Sequence, residues 1–449
     1  MNEINRRQFL NGSVRGAAGI SLGAAAISLS PDKAFGANDK VVLALIGAGG
    51  RGTALIQGMA KLKNVETKYI CEVDDVRGGA AVKKVDEIQG YAPERVIDMR
   101  AVFDDKDVDG VVIATPEHWH ALATIWACQG GKDVFVEKNI SLSIWEGRKM
   151  LEAARKYKRI VQCGTQNRSA PYGFSAREYI ESGKLGKVVH VKVYNMLPGS
   201  AWKQRLDSEV PAGLDWNRWL GPAEKVPYNL SRHRGWNDYW EYGSGAMADA
   251  IHQLDLARLI LGNPPHPKAA YCAGGRLAYK DQRPTPDTQA ITYDYGDMTM
   301  TCESMNFTPY MKKSQGDVRF GDKFPYWPQN STRIEMYGTK RMMYVGRMGG
   351  GWQVFEGGGK VIDYEYGYLP DERHNQNFVD CIRSRQLPNG DIEQGHYSAC
   401  LLHLADLCYR VGNKQLIFDA QSESFVNNNE ANKLLKPTYR KPYYIGEQI

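Results

Sequence analysis

The stretch Val41-Val-Leu-Ala-Leu-Ile-Gly-Ala-Gly-Gly-Arg-Gly52 decides the fold of this chain. Its six leading apolar residues are typical of a strand buried on both faces of a parallel sheet, and a helical pattern follows the last glycine. In the GxGxxG spacing, Gly47 permits a tight turn, Gly49 lets the backbone approach a pyrophosphate, and Gly52 lets helix pack on strand. We therefore predict a Rossmann-type unit whose helix N-terminus, together with Arg51 in the loop, binds the phosphates of a dinucleotide.

The residue after the second predicted strand specifies the dinucleotide. This strand, Val65–Cys71, leads directly to Glu72, which lies 20 residues beyond Gly52. A carboxylate at this position of a Rossmann unit binds the 2′-hydroxyl of the adenosine ribose. Because its charge disfavours a 2′-phosphate, Glu72 predicts NAD rather than NADP. The alternative is an ordinary tight turn between strand and helix that binds no ligand.

Two later strands of the same predicted sheet also end in polar residues. The strand Val108–Thr115 is followed by Pro116 and then by Glu117-His118-Trp119-His120, and the strand beginning at Asp133 ends in Glu137-Lys138. Ligands of open α/β sheets bind beyond the carboxyl ends of the strands. We therefore expect these two groups of residues to lie where the nicotinamide binds, although Trp119 and His120 at a helix start are equally consistent with capping and packing.

The first 37 residues resemble a twin-arginine export signal. Arg6 and Arg7 precede Phe9-Leu10, a weakly apolar stretch follows, and small residues surround position 37. Such signals carry folded proteins across the membrane, so the resemblance predicts a periplasmic protein that is loaded with its cofactor before export. The apolar stretch is too short and too mild for a membrane span. The alternative is a disordered basic tail.

Composition excludes several classes of partner. The formal charge is +6, of which the predicted signal contributes about +2, and no long basic run remains. We therefore expect no nucleic-acid partner. Eight cysteines are scattered without a CxxC pair or a Cys/His ligand spacing, so neither a metal site nor a disulfide framework is predicted.

The length and the change of pattern along the chain predict two domains after the signal at residues 1–37. Residues 38–166 are assigned to an NAD-binding Rossmann domain with a doubly wound parallel sheet. Long alternating runs begin near Lys187, so residues 167–449 are assigned to an α+β domain with a large open, mostly antiparallel sheet, followed by a C-terminal helix and tail. We expect the chain to form a homo-oligomer through this open sheet.

The order of these motifs resembles the family named after glucose–fructose oxidoreductase, inositol dehydrogenase and rhizopine-catabolism proteins. The shared features are GxGxxG, the acidic strand end, Thr115-Pro-Glu-His-Trp-His120, and Glu137-Lys138. Matching stretches also cover the second half: Lys184-Leu-Gly-Lys-Val188, Trp216-Asn-Arg-Trp-Leu-Gly-Pro222, Gly243-Ser-Gly-Ala-Met-Ala-Asp-Ala-Ile-His-Gln-Leu-Asp255, and His374 with Asn377-Phe-Val-Asp-Cys-Ile-Arg-Ser-Arg385. The resemblance covers nearly all of the chain after the signal.

The resemblance implies a catalytic group and further binding residues. Oxidising a sugar hydroxyl requires a base for the proton and a cation for the developing alkoxide. The family pattern assigns the base to His252 and the cation to Lys138, with Asp249 orienting the imidazole or holding the substrate. It also implies a cofactor contact at Gln166. The substrate contacts that we expect are Arg168, Tyr194, Arg234 and Trp236.

The chain departs from the family pattern at two places. Asn139 follows Lys138 where the family usually has proline, and two residues rather than three separate Asp249 from His252. At this spacing both side chains are still expected on one helix face. The long segment 307–331, rich in Lys, Pro, Gly and aromatic residues, is expected to overhang the sugar pocket.

The resemblance predicts an NAD-dependent oxidoreductase that transfers a hydride between the cofactor and a hydroxyl of a sugar or glycoside. It leaves a second enzyme open, because exported relatives include NAD-dependent α-N-acetylgalactosaminidases. In such a glycosidase, transient oxidation at C3 of the sugar acidifies the C2 proton, the aglycone is eliminated, water adds and the sugar is reduced again. A sugar-binding protein with a vestigial cofactor is the non-enzymatic alternative, and the presence of both Lys138 and His252 argues against it.

Overall fold

The computed structural model describes residues 39–449. The predicted twin-arginine signal falls outside the described residues. No helix within the described range combines the length and the apolarity that crossing a bilayer requires.

A six-stranded parallel sheet forms the first half of the chain. Its strands are β1 (Val41–Ile46), β2 (Val65–Cys71), β3 (Glu94–Val96), β4 (Gly110–Ile113), β5 (Asp133–Val136) and β6 (Val161–Cys163). They lie in the order β3-β2-β1-β4-β5-β6, and every neighbouring pair is parallel. The order reverses between β1 and β4, so the switch point of this doubly wound sheet lies beside the glycine loop. The predicted Rossmann architecture is confirmed.

Helices connect these strands. They are α1 (Gly50–Ala60), α2 (Asp75–Gln89), α3 (Met99–Asp104), α4 (His120–Gln129) and α5 (Ile144–Lys156), and a 3-10 turn at Glu117–Trp119 precedes α4. The start of α5 shows how local sequence sets these bounds. The Ser143 hydroxyl accepts a hydrogen bond from Glu146 N, and the Glu146 carboxylate accepts one from Leu142 N, as in a capping box.

The second half of the chain is built on a ten-stranded sheet. Its strands are β7 (Val188–Met196), β8 (Ala269–Gly275), β9 (Thr288–Asp294), β10 (Thr299–Met305), β11 (Arg333–Gly338), β12 (Met342–Gly346), β13 (Trp352–Glu356), β14 (Lys360–Glu365), β15 (Leu416–Asp419) and β16 (Ser424–Phe425). The order is β14-β13-β12-β11-β7-β10-β9-β8-β15-β16. Only β7 and β10 pair in parallel, so the predicted large, mostly antiparallel sheet is confirmed.

The remaining helices lie around this sheet and return to the first one. They are α6 (Pro171–Glu181), α7 (Trp216–Leu220), α8 (Leu230–Arg234), α9 (Ile251–Ile260), α10 (Gly316–Arg319), α11 (Asp371–Ser384), α12 (Ile392–Arg410) and α13 (Asn429–Lys433). One hydrophobic cluster includes β1 and β4 of the first sheet, β7 and β11 of the second, and α12. Between α11 and α12, Gly390 O accepts a hydrogen bond from Cys163 N at the end of β6. The C-terminal helices therefore pack against both sheets.

The described cysteines number eight, and all are buried and free. Burial raises the pKa of several of these thiols, which suits a packing role rather than a reactive one.

Candidate active site

The glycine loop between β1 and α1 has the geometry of a phosphate-binding turn. Gly47 has φ +90°, and a Cβ at this position would lie 2.8 Å from Thr115 N. A Cβ at Gly52 would lie 2.1 Å from Gly47 O, so this position admits only glycine. Gly49 is the N-cap of α1 and provides no side-chain acceptor, so the first amides of the helix remain open to an anionic ligand.

Glu72 reaches from the end of β2 to this loop. Its Oε2 accepts a hydrogen bond from Ala48 N at 2.6 Å, and its Oε1 accepts from Val73 N and Asp74 N at 2.9 and 3.0 Å. Burial raises the pKa of this carboxyl, while the three backbone donors oppose the shift. A carboxylate offers about four acceptor positions, so capacity remains for a ribose hydroxyl.

A cavity of about 250 Å³ lies between the loop and the segment that carries α7 and α8. Among the predicted site residues, those that line it are Gly47, Gly49, Arg51, Glu72, Trp119, Arg234 and Trp236. The open helix N-terminus at one wall and the Glu72 carboxylate at another are the groups that would hold the pyrophosphate and the adenosine ribose of NAD in a Rossmann fold. The residues present therefore fit this cofactor.

Arg51 is held at the edge of the cavity by two carboxylates. Its Nε donates to Glu137 Oε1 at 2.8 Å, and its Nη2 donates to Asp371 Oδ1 at 3.4 Å. The amide of Gln166 also donates to Glu137 Oε1, at 3.3 Å. Glu137 and Gln166 do not line the cavity but position Arg51, which does.

Glu117 does not reach the cavity. Its carboxylate is buried, and it accepts hydrogen bonds from Asn139 Nδ2 at 3.0 Å and from Ser244 Oγ at 2.6 Å. Burial raises the pKa of Glu117, and the charge of Lys138 opposes the shift. Glu117 therefore links the loop after β5 to the second half of the chain through these two hydrogen bonds. The prediction that Glu117 contacts the cofactor is corrected to this structural role.

His118 and His120 are also buried behind the cavity wall. His118 Nε2 lies 3.0 Å from Trp219 O, and burial lowers the pKa of its imidazole to about 4. The two ring nitrogens of His120 lie 2.6 Å from Asn139 O and 2.8 Å from Thr115 O. Neither histidine lines the cavity, so the structure favours the packing alternative for both, whereas Trp119 does form part of the wall.

Lys138, Asp249 and His252 come together at the carboxyl end of β5. Lys138 Nζ donates to Ala248 O at 3.0 Å, and the peptide bond from Lys138 to Asn139 is cis. Asp249 ends a 3-10 turn, Gly245–Asp249, and His252 lies in the first turn of α9. The imidazole of His252 is 5% exposed, and its Nδ1 has no hydrogen-bond partner in residues 39–449.

Charge within this cluster sets the protonation of both acid–base groups. Burial alone would raise the pKa of Asp249, but the charges of Arg347, Lys138, His252 and Lys313 hold it well below its ordinary value. Burial and then Arg347 lower the pKa of His252 well below its ordinary value, against the opposing charge of Asp249. The pair is therefore a carboxylate and a neutral imidazole at neutral pH.

Sequence reasoning did not identify two cations of this cluster. Arg347 follows β12 in a glycine-rich turn, and Lys313 lies in the long segment that was expected to overhang the pocket. Lys313 Nζ forms an ion pair with Asp249 Oδ2 at 2.9 Å, so that segment does reach the site. The only signal in the sequence was the length and the polarity of the segment.

Two predicted substrate contacts lie elsewhere. Arg168 is 1% exposed, and its Nε donates to both carboxylate oxygens of Asp255 at 2.8 and 2.9 Å. The ring of Tyr194 lies under the guanidinium of Arg333, 3.7 Å from its centroid, on the opposite face of β7 from the buried Val193 and Asn195. Both predictions are corrected: Arg168 forms a buried ion pair, and Tyr194 lies on the open face of the sheet.

A larger cleft of about 1290 Å³ adjoins the cofactor cavity. Residues 197–208 form one wall, and Arg234 lines both the cavity and the cleft. Trp202 offers an aromatic face beside Arg283, and Asn237 and Asn306 add polar groups. Aromatic faces next to hydrogen-bonding groups suit a sugar.

A second polar cluster lies apart from these cavities. His266 Nε2 and His396 Nε2 lie 2.9 and 2.7 Å from Glu423 Oε1, and Cys400 is adjacent. Arg148 also forms an ion pair with Glu423 and balances its charge. The chain spacing gave no sign of this cluster, which fastens the turn between β15 and β16 to α5 and α12.

Comparisons with known proteins agree with this geometry. Residues 41–165 match the sequence model of an oxidoreductase family with an NAD-binding Rossmann fold, and residues 175–309 and 340–445 match the C-terminal alpha/beta domain of that family. The chain is 23% identical to scyllo-inositol 2-dehydrogenase (NAD(+)) of Bacillus subtilis over 333 residues, which cover 72% of this chain and 80% of that protein.

Two further comparisons cover other parts of the family. An alpha-N-acetylgalactosaminidase of Shewanella oneidensis is 28% identical over 282 residues, which cover 56% of this chain and 61% of that protein. The crystal structure of the WlbA dehydrogenase from Bordetella pertussis, in complex with NADH and UDP-GlcNAcA, superposes with a TM-score of 0.61. It covers 85% of this chain and 99% of its own at 18% identity, which shows a shared fold.

Proposed function

Because the chain belongs to the NAD-binding oxidoreductase family of glucose–fructose oxidoreductase and inositol dehydrogenase, we propose that it transfers a hydride between NAD and a hydroxyl of a sugar or glycoside. The observation that carries this proposal is the meeting of Lys138, Asp249 and His252 beyond the carboxyl end of β5. A cation, a carboxylate and an imidazole whose Nδ1 has no partner in residues 39–449 thus meet in a protein whose glycine loop fits the cofactor.

Each residue of the cluster has a distinct task. Bound NAD would supply the acceptor for the hydride that leaves the carbon bearing the hydroxyl. His252 takes the hydroxyl proton, because its neutral imidazole has a free ring nitrogen. The ammonium of Lys138 is oriented by its hydrogen bond to Ala248 O. It donates a further hydrogen bond to the hydroxyl oxygen of the substrate and stabilises the negative charge that develops there. Asp249 keeps a negative charge beside both groups and holds the imidazole or the substrate.

Incubation of the purified protein with a panel of free sugars and aryl glycosides tests this proposal. We expect absorbance of reduced nicotinamide with at least one member of the panel, and loss of that signal in His252→Ala. A folded, NAD-loaded protein that reduces no cofactor and releases no aglycone with any member would contradict the proposal.

A second candidate is a glycosidase that oxidises its sugar only transiently. The similarity to the alpha-N-acetylgalactosaminidase of Shewanella oneidensis over 56% of this chain favours it. The same cluster serves this reaction, since a base and a cation are needed at a sugar carbon that is first oxidised and then reduced again. In the panel, this enzyme releases aglycone without net accumulation of reduced cofactor.

We also propose that the chain is exported in the folded state to the periplasm. The support is Arg6-Arg7 before Phe9-Leu10 and a short apolar stretch. Cell fractionation of the wild type and of a variant with Arg6→Lys and Arg7→Lys tests this. Retention of the wild type in the cytoplasm would contradict the proposal.

Homo-oligomerisation through the open sheet remains part of the proposal. Tyr271 on β8 and Ile417 on β15 are 44% and 47% exposed, each between buried neighbours in its strand, so apolar groups point away from the core face. Light scattering on purified protein measures the mass in solution. A monomer at all concentrations would contradict it.

A further inference from the structure

Arg347 is a buried cation whose guanidinium has no oxygen partner among residues 39–449. Its side chain is 7% exposed, and its backbone oxygen accepts a hydrogen bond from Asn167 Nδ2 at 2.9 Å, which fixes the turn after β12. The Nε atom is buried without a hydrogen-bond partner, and Nη1 contacts the sulfur of Met348. No carboxylate of residues 39–449 lies within ion-pair distance of this group.

The other buried arginines show how unusual this is. Arg168 pairs with Asp255, and Arg333 pairs with the carboxylate two residues along its strand. Arg258 donates to carbonyl, hydroxyl and amide oxygens with all three guanidinium nitrogens. A buried guanidinium without such partners is costly, so Arg347 is incomplete in the chain as it stands.

Arg347 shares the carboxylate of Asp249 with other cations of the cluster. Arg347, Lys138 and Lys313 all act on the single carboxylate of Asp249, and the charge of Arg347 is the largest of these effects. Arg51, by contrast, is balanced by two carboxylates of its own. Asp371 also acts on Arg347, and Glu117 on Lys138, but no carboxylate of residues 39–449 bonds to the Arg347 guanidinium beside the imidazole that is proposed to act as the base.

The cleft that adjoins the cofactor cavity contains further cations. Lys203, Arg205 and Arg234 line it, and none of their side chains forms an ion pair within the described residues. Arg283 and the carboxylates of Asp207 and Asp238 line it as well, so the lining carries a net positive charge, which favours anionic ligands.

We propose that the substrate is an acidic sugar, a uronic acid or its glycoside, whose carboxylate binds Arg347. A guanidinium donates two parallel hydrogen bonds to a carboxylate, which supplies the partners that Arg347 lacks and fixes the orientation of the sugar. The proposal rests on the proposed function, since it identifies the substrate class of that same site.

Binding measurements test the proposal without requiring turnover. The NAD-loaded protein is titrated by calorimetry with glucuronate, with glucose, and with glucose 6-phosphate. We expect glucuronate to bind at least tenfold more tightly than glucose, and Arg347→Met to remove that difference without changing the NAD content. The control is Arg373→Met, an exposed arginine of α11 without a partner in the described residues, which should behave as the wild type.

The remaining outcomes separate this proposal from the proposed function. Equal binding of glucuronate and glucose by the wild type overturns the proposal, and this comparison needs no variant. Loss of NAD in Arg347→Met also overturns it, because Arg347 would then belong to the cofactor site. Tighter binding of glucose 6-phosphate than of glucuronate overturns the proposal that the anionic group bound by Arg347 is a carboxylate. If Arg347→Met does not fold, Arg347→Lys serves as the second variant. Lysine keeps the charge but loses the two parallel hydrogen-bond donors of the guanidinium, and it should weaken glucuronate binding severalfold. Glucuronate binding that depends on Arg347, without hydride transfer, contradicts the proposed function alone.

Discussion

Replacing Glu72 by glutamine should abolish the preference for NAD over NADP. In the folded protein the Glu72 carboxylate accepts three backbone hydrogen bonds beside the glycine loop and lines the cofactor cavity. Glutamine keeps an acceptor for part of these donors and removes the negative charge. The change therefore tests electrostatic exclusion of a 2′-phosphate rather than the shape of the cavity.

The size of the preference follows from the charges that line the cavity. Two unit charges 4 Å apart interact by about 4 kcal/mol at an effective dielectric constant of 20. Arg77 lines the same cavity and lies 3.7 Å from Asp74, so its guanidinium offsets part of the repulsion of a phosphate. We therefore expect a net preference of at least about 1.4 kcal/mol, which is tenfold in affinity.

Titration of the protein, freed of bound nucleotide, with NADH and NADPH at about pH 8 measures this ratio. Burial raises the pKa of Glu72, so an alkaline buffer keeps the carboxylate ionised. Asp98→Asn is the matched control, because Asp98 lines the same cavity but is paired with Arg100. Equal affinities in the wild type, or an unchanged ratio in Glu72→Gln, would show that the charge of Glu72 does not set the preference.

Three further predictions concern catalysis and stability. Lys138→Met and His252→Ala should each lower turnover by roughly 10²-fold in steady-state assays, with little change in melting temperature or NAD content. A loss of stability with intact turnover per folded molecule would instead give Lys138 and His252 a structural role. Lys313→Met removes the partly exposed ion pair with Asp249, which is equivalent to roughly 1 kcal/mol, so kcat/KM should fall about fivefold. The control Lys312→Met, at the exposed neighbouring residue, should leave kcat/KM unchanged. Burial raises the pKa of Glu146 to about 7, so between pH 4.5 and 7 the folded state holds a proton that the unfolded state has lost. The resulting contribution to stability is complete below pH 4.5 and disappears as the pH rises to about 7. The melting temperature should therefore fall over this range, and Glu146→Gln should reduce that fall.

Local patterns in the sequence were enough to predict the cofactor half of the site. The glycine spacing sets the turn at Gly47, and the strand that ends at Glu72 runs parallel to β1, so both residues reach the same cavity by local geometry alone. The alternating runs predicted the second sheet for the same reason, because period-two patterning marks each strand without any knowledge of its partner.

Long-range pairing explains what the sequence did not reveal. Arg168 was expected to contact substrate, but Asp255 from α9 neutralises it in the core. The side chain of Tyr194 points away from the buried face of β7. Which face of a strand lies towards the site depends on the arrangement of the whole sheet, and the sequence of one strand does not reveal it. Arg347 is brought to His252 by a turn almost a hundred residues along the chain, and no periodicity marks such a contact.

Hydride transfer within the protein as purified tests the central claim most directly. The nicotinamide released by denaturation is counted per chain, and the NAD-loaded protein is then mixed with the sugar panel without added cofactor while the absorbance of reduced nicotinamide is followed. We expect bound NAD, a rise in absorbance within a single turnover in the wild type, and a rise roughly 10²-fold slower in His252→Ala. Protein that contains no nicotinamide and has no affinity for added NAD, or equal rates in the wild type and the variant, would contradict it.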